Sequence, residues 1–281
     1  MLKLERLMKK TSGNPQIIIG IIDGPVDMKH HAFEGTSFIQ VSSSRPIACA
    51  STNNVACTHG TSIAGILAAR RGLPSLSLCP SCRFALFPIF CEGKIYTKEP
   101  DIDELADAIR ETVDAGARII NLSLGLKYHL SIPTRLEESY TYAREKGVVI
   151  VISAGNQGQI GSSSLLNNEW IIPVSSCDHN GIPLYFANFG KGIGKNGILA
   201  PGINLACTFP NGAYGYCQGT SVSAALVSGT IALLWSLYPE ARSSDIIYAV
   251  RKSSQSHSII PPLLNAEAAL NILKINQHIL Q

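Results

Sequence analysis

The stretch Gly219-Thr220-Ser221-Val222-Ser223-Ala224-Ala225-Leu226-Val227-Ser228-Gly229 offers a serine in a position where it can react. A turn-forming Gly-Thr leads into a run of small residues, which continues as an apolar segment to Leu237. That pattern carries Ser221 onto the first turn of a buried helix. There, free backbone N–H groups and the positive end of the helix dipole face whatever the serine attacks. A serine hydroxyl alone is a weak nucleophile and needs a base, and the base needs an orienting acid. His59, which opens the segment His-Gly-Thr-Ser-Ile-Ala-Gly, and Asp23, which closes the apolar run 17–22, are the residues suited to those roles. Each has an ordinary structural explanation as well: an Asp at a strand end forms turns, and a His or Ser at a helix start caps it.

The elements that must position these residues follow from periodicity. The run 17–22 is apolar throughout and reads as a strand buried on both faces, ending at the turn Asp23-Gly24-Pro25. Residues 42–58 read as a surface loop, and 59–67 as a helix stopped by Arg70-Arg71-Gly72. Strands are expected at 84–90, 118–122, 148–152 and 170–174, with helices at 102–115 and 134–146 between them. Short strands near 197–200, 205–208 and 214–217 precede the long helix from Ser221, and helices at 243–252 and 265–273 close the chain. Alternating strands and helices make an α/β fold with a mainly parallel sheet. In such a sheet, functional residues gather at the carboxyl ends of strands. Asp23, the segment Ser123-Leu124-Gly125 and the segment Ala154-Gly155-Asn156 all fall there.

Length and composition bound the rest. The 281 residues suit one domain, with 1–15 as an N-terminal extension and 275–281 as a tail. A net charge of +3 is too small to argue for nucleic acid or a membrane surface as partner. Residues 1–16 hold no signal-peptide core, so the expected location is cytoplasmic. The eight cysteines are then expected to be thiols rather than a disulfide framework. Cys207 and Cys217 flank a turn-rich segment and could face each other across a hairpin. Cys57, two residues before His59, could make the site sensitive to thiol reagents. The pair in Cys79-Pro80-Ser81-Cys82 lacks a second pair of ligands at metal-site spacing. No carboxylate-rich loop has the spacing of a calcium site, so neither metal nor cofactor is expected.

Five segments occur in order: Ile-Ile-Asp-Gly, His-Gly-Thr-Ser-Ile-Ala-Gly, Asn-Leu-Ser-Leu-Gly, Ser-Ala-Gly-Asn and Gly-Thr-Ser. The order Asp, His, Ser is that of subtilisin, not that of an α/β-hydrolase, whose nucleophile also sits in a Gly-x-Ser-x-Gly elbow. With Gly-Ile-Leu-Ala-Pro-Gly at 197–202 and Leu-Asn-Ala-Glu-Ala-Ala-Leu at 264–270, the chain resembles the subtilisin-like serine proteases over nearly its whole length. The resemblance implies a three-layer fold with helices on both faces of the sheet. It implies Ser221 as nucleophile, His59 as base and Asp23 as orienting carboxylate. Asn156 and the Ser221 N–H would form the oxyanion hole. Ser123, Leu124 and Gly125 would be an edge that pairs with extended substrate, and Ala154 and Gly155 would help wall the adjoining side-chain pocket.

This chain departs from the family pattern in having Ala225 and Leu226 where a proline and often a histidine stand, and Gly24 where most members have Ser or Thr. Asp27 rivals Asp23 as the acid, but Asp23 directly ends the strand. His30 and His31 lack the Gly-Thr context and are expected on the surface. Asp23-Gly24-Pro25-Val26-Asp27, together with Cys82-Arg83, Pro88-Ile89-Phe90 and 197–202, is similar to the proteases of cyanobactin biosynthesis. That resemblance implies a precursor peptide as partner, bound as an extended strand and cut to free its core from its leader, with a small residue before the cut. A macrocyclising sister enzyme carries an added helical insertion. Only 35 residues separate Asp23 from His59, so simple hydrolysis is expected. A general degradative protease and a non-catalytic peptide-binding relative are the alternatives.

Overall fold

The computed structural model describes residues 2–42, 44–90, 101–124, 131–161, 164–252 and 258–279. The chain runs α1 (Leu4–Lys10), β1 (Ile18–Asp23), β2 (Ser37–Gln40), α2 (Val55–Ala68), β3 (Arg83–Pro88), α3 (Ile102–Asp114) and β4 (Ile119–Leu122). It continues through α4 (Thr134–Glu145), β5 (Val149–Ser153), β6 (Ile171–Cys177), α5 (Lys191–Asn196) and β7 (Ile198–Pro201). The hairpin β8 (Leu205–Phe209) and β9 (Ala213–Cys217) then leads into α6 (Thr220–Leu237), α7 (Ser243–Lys252) and α8 (Ala266–Ile279).

Seven strands form a parallel sheet in the order β2-β3-β1-β4-β5-β6-β7. The two-residue period of a strand puts Ile17, Ile19 and Ile21 into one core and Ile18 and Ile22 into the other. The first core is shared with α2, α6, α7 and α8, the second with α3 and α4, so helices cover both faces. This is the three-layer α/β architecture expected. The chain goes from β1 to the edge strand β2, returns inward to β3 beside β1, then crosses to β4 on the other side and onward. Strand order therefore reverses beside β1, and the crevice at the carboxyl ends of β1 and β4 is where such sheets place their ligands.

The α6 helix is apolar all round because it is buried all round: residues 220–235 are all buried, and the helix packs across β4 to β7 and against α2. It is the one described helix long and apolar enough to cross a membrane, and 89% of it lies inside the fold. Ala225 and Leu226 sit within it without interrupting the helix.

Several expectations need correction. The 42–58 segment is not loop throughout. Asn54 caps α2 by accepting a bond from the Ala56 N–H at 2.8 Å, so His59 stands in the second turn rather than at the start. The N-terminal extension packs on the rest of the chain: α1 lies on α8, Leu2 and Leu7 are buried, and the Ala266 N–H donates to the Leu2 carbonyl at 3.1 Å. Lys3 and Arg6 both pair with Glu267, but they are exposed and such pairs contribute little. Burial of the two leucines stabilises the contact more, by about 1.5–3 kcal/mol each. His30 is buried: its Nδ1 accepts from the Ala32 N–H and its Nε2 meets the Ala213 carbonyl, each at 3.0 Å. His31 is exposed, as expected, and bonds the Tyr214 hydroxyl at 2.8 Å.

The expectation of thiols is overturned for four cysteines, while Cys207 and Cys217 do face each other across a hairpin. Cys49–Cys57 and Cys207–Cys217 are disulfides, while Cys79, Cys82 and Cys177 are buried thiols. The β8–β9 hairpin brings the Cys207 and Cys217 Cα atoms to 6.5 Å. Pairing of Val26 with Ala48 helps bring Cys49 to Cys57, at 5.5 Å. Both separations lie within reach of a disulfide. Cys57 therefore offers no free thiol to a modifying reagent.

Candidate active site

Asp23 is the last residue of β1 and is wholly buried. Its Oδ1 accepts from the Gly24 N–H and from His59 Nδ1, each at 2.6 Å. Its Oδ2 is buried with no hydrogen-bond partner among the described residues. The turn after Asp23 is too tight for a side chain at position 24: a Cβ there would lie 2.0 Å from the Ala56 carbonyl oxygen. A hydroxyl-bearing residue is thus excluded by the close approach of α2.

The His59 side chain is about a quarter exposed, at 27%. Burial disfavours charge on the imidazole, but the Asp23 carboxylate and its hydrogen bond outweigh that, and the pKa is raised above its usual 6.5. With Nδ1 donating to Asp23, Nε2 is left as the nitrogen that can accept a proton.

Ser221 sits in the first turn of α6, where a helix N–H has no intrahelical acceptor. Its hydroxyl donates to the Ser123 carbonyl at 3.3 Å, long for an O–H···O bond and therefore easily given up. Ser123 is in turn set by a buried relay. Ser228 Oγ donates to Asn121 Oδ1 at 2.9 Å, and Asn121 Nδ2 donates to Ser123 Oγ at 2.8 Å. Leu124 is buried, and its carbonyl accepts from Ser153 Oγ at 2.9 Å. Gly125 lies outside the described residues.

The Asn156 amide is oriented from its oxygen end. Oδ1 accepts from the Thr220 N–H at 2.9 Å and the Thr220 hydroxyl at 3.0 Å, which leaves Nδ2 as the donor to present. Thr220 Oγ1 also accepts from the Gly155 N–H at 3.2 Å. Asn188, which sequence reading does not reach, holds the same loop from below. Its Oδ1 accepts from the N–H groups of Gln157 and Gln159 at 3.1 and 2.9 Å, and its Nδ2 donates to the Ala154 carbonyl at 3.0 Å. Gly155 has φ +104°, and a Cβ there would lie 2.5 Å from Asn188 Nδ2, so only glycine fits. No local motif announces Asn188, because its partners lie some thirty residues earlier.

Asp27 is not placed beside His59. It accepts from the N–H groups of Asn211 and Lys29, at 2.9 and 3.3 Å, and so ties its turn to the β8–β9 hairpin.

A carboxylate bonded to a histidine, a serine on a helix start and an amide with a presented N–H share one rim of a parallel sheet, and the family follows. The chain belongs to the subtilase family, whose Peptidase_S8 profile matches residues 14–268. It is 33% identical over 178 residues to "Thermophilic serine proteinase" of Bacillus sp. (strain AK1), covering 63% of this chain and 42% of that protein. It is 27% identical over 268 residues to Fervidolysin of Fervidobacterium pennivorans, covering 85% of this chain and 37% of that protein. The chain thus spans less than half the length of these two relatives. Among solved structures, the protease domain of PatA aligns at TM-score 0.86 and 28% identity, over 94% of this chain and 97% of that one. The prenylagaramide maturation protease PagA aligns at TM-score 0.85 and 27% identity, over 97% and 99%.

Proposed function

We propose that this chain is a serine endopeptidase working as one catalytic domain, with Ser221 as nucleophile, His59 as base and Asp23 as orienting acid. The observation that carries the reading is the 2.6 Å bond between the buried Asp23 and His59 Nδ1. Ser221 Oγ leaves its weak bond to Ser123, attacks the substrate carbonyl carbon and gives its proton to His59 Nε2. Asn156 Nδ2 and the Ser221 N–H donate to the oxyanion. His59 then returns the proton to the leaving amine, and water hydrolyses the acyl-serine by the same route. The substrate lies extended along Ser123, Leu124 and Gly125, with one side chain against Ala154 and Gly155.

The substrate class we favour is a ribosomal precursor peptide cut between leader and core. The likeness to PagA, described as a maturation protease, and to the PatA protease domain supports it. The described residues between β1 and α2 hold only a 3₁₀ turn, His31–Phe33, and β2, in keeping with hydrolysis rather than cyclisation. A cytoplasmic setting belongs to the same reading. The two disulfides weigh against it, and thiol counting on protein taken from its own cells under acid quench decides the point.

The test is mass spectrometry of a diverse peptide library incubated with the protein and with Ser221→Ala. Cleavage at few sites, lost in the variant, is expected. Cleavage at many sites would make it a degradative enzyme. Equal cleavage by both proteins would remove Ser221 from the chemistry.

A further inference from the structure

Two cysteines away from the catalytic rim carry a chemistry that the triad does not use. Cys79 and Cys82 frame the turn Cys79-Pro80-Ser81-Cys82, in which the Cys82 N–H donates to the Cys79 carbonyl at 3.0 Å. Both are thiols, while four other cysteines are paired. We propose that Cys79 and Cys82 are a redox-active pair, which a hydroperoxide converts into a further disulfide. The inference stands apart from the roles given to Ser221, His59 and Asp23.

Geometry is the first support. The ends of a four-residue turn lie within about 7 Å of each other, and a disulfide spans roughly 4.4–6.8 Å between Cα atoms. The two sulfurs already meet, since the Cys79 thiol donates a hydrogen bond to the Cys82 sulfur. Both cysteines are buried, but Ser81 between them is exposed and Pro80 is half-buried. Segment 12–14 passes over the turn, and none of it is buried. The Ser81 N–H donates to the Ser12 carbonyl at 2.9 Å, and a Cβ on Gly13 would lie 2.7 Å from the Cys82 sulfur. A single layer of chain at the surface therefore separates this sulfur from a small oxidant. The turn runs into Arg83, which opens β3 opposite Ile18, whereas Asp23 pairs with Pro88 at the other end. The pair thus stands one strand length, about 16 Å, from the catalytic rim.

Chemistry is the second support. Three donors meet at the Cys82 sulfur: the Cys79 thiol, the Asn14 N–H and the Ser236 hydroxyl. They favour the thiolate and hold Cys82 below the ordinary thiol value in spite of burial. Cys79 keeps its proton, because burial and the neighbouring Cys82 sulfur raise it well above that value, and the Arg71 guanidinium offsets only part of the rise. The pair therefore divides into a nucleophile and a resolving thiol. The Cys82 thiolate attacks one oxygen of the hydroperoxide. An S–O bond forms, the O–O bond breaks, and the other oxygen leaves as an alcohol, or as water from hydrogen peroxide, with the proton that Cys82 gave up. The Cys79 sulfur then attacks Cys82. The S–S bond forms, the S–O bond breaks, and the oxygen leaves as water with the Cys79 proton. Two thiols lose two electrons, and the hydroperoxide gains them. Cys177 is the contrast within the same chain: burial and Asp178 push its thiol up to about 12, which makes it inert.

The experiment exposes the folded protein to hydrogen peroxide, quenches with acid, alkylates the remaining thiols after denaturation and maps the peptides by mass. The peptide that holds Cys79 and Cys82 should lose two hydrogens and both alkylation sites, at least about 10-fold faster than Cys177 loses its own. Dithiothreitol should restore both sites. Two variants read the division of labour. In Cys79→Ser, whose hydroxyl keeps a donor toward Cys82, dimedone should capture a sulfenic acid on Cys82. In Cys82→Ser, dimedone should capture Cys79 at least about 10-fold more slowly. Two thiols persisting at 79 and 82, oxidation of Cys79, Cys82 and Cys177 at one common rate, or sulfinic acid formed without a disulfide overturns the pair. The comparison with Cys177 is made in the wild type and needs neither variant to fold.

Discussion

The two halves of the site are held in different ways. Around Asn156, each connection is a directional hydrogen bond: Thr220 fixes the amide from above, and Asn188 fixes the loop on both sides of it. Around His59, one carboxylate oxygen carries both bonds and the other is buried without a partner among the described residues. On the proposed reading, the first half works by geometry and the second by charge. A preorganised donor gains from rigid bonds on every side. A carboxylate that must stabilise a passing imidazolium gains from having little else to neutralise it.

The contrast can be broken most severely on the charged side. Asp23→Asn removes the charge while keeping the shape, and kcat should fall by about 10⁴-fold. Its pH profile should move as well. If His59 is the base, as proposed, activity requires neutral imidazole, and its raised pKa should put the wild-type acid limb of kcat/KM above the ordinary histidine value. In Asp23→Asn the charge that raises the ring's pKa is lost, and the limb should move to lower pH than in the wild type. The stability linkage has a definite sign. The favourable Asp23–His59⁺ pairing is fully present below the unfolded histidine value and is lost as pH rises through the raised folded value.

On the geometric side, Asn156→Leu should lower kcat by about 10²- to 10³-fold with KM nearly unchanged, because the lost bond is made only in the transition state. Loss of a support should cost less. Asn188→Ala and Thr220→Val should each lower kcat by roughly 10-fold while leaving the pH limb where it is, since neither touches His59. A shifted limb in either variant would show that the halves are not independent. The smallest catalytic effect should come from the disulfide behind α2. Replacing Cys49 and Cys57 with serine removes a short closed loop worth about 2–3 kcal/mol, so Tm should drop by roughly 5 °C.

These differences also explain what was legible in the sequence. β1 could be read because both its faces are buried, and Asp23 followed as the residue that ends it. Ser221 could be read because an all-apolar helix must begin after its Gly-Thr turn. The first turn of α2 was hidden, because Asn54 and Thr58 resemble the polar loop before them. α1 was hidden because two buried leucines are outnumbered by charged residues that stay in solvent. The burial of His30 depends on a hairpin 183 residues away. Cys49 and Cys57 were read through cellular compartment, although proximity in the fold decides pairing. Asn188 has no local signature, since its role exists only once the sheet has brought β5 and the segment after β6 together.

The most direct test of the charge-supported triad is the rate at which a fluorophosphonate modifies the protein, in the wild type and in Asp23→Asn. Intact mass follows the reaction and peptide mapping locates the adduct. A single adduct on Ser221 is expected, formed quickly in the wild type and orders of magnitude more slowly in the variant. An adduct on another residue, or equal rates in the two proteins, would contradict it.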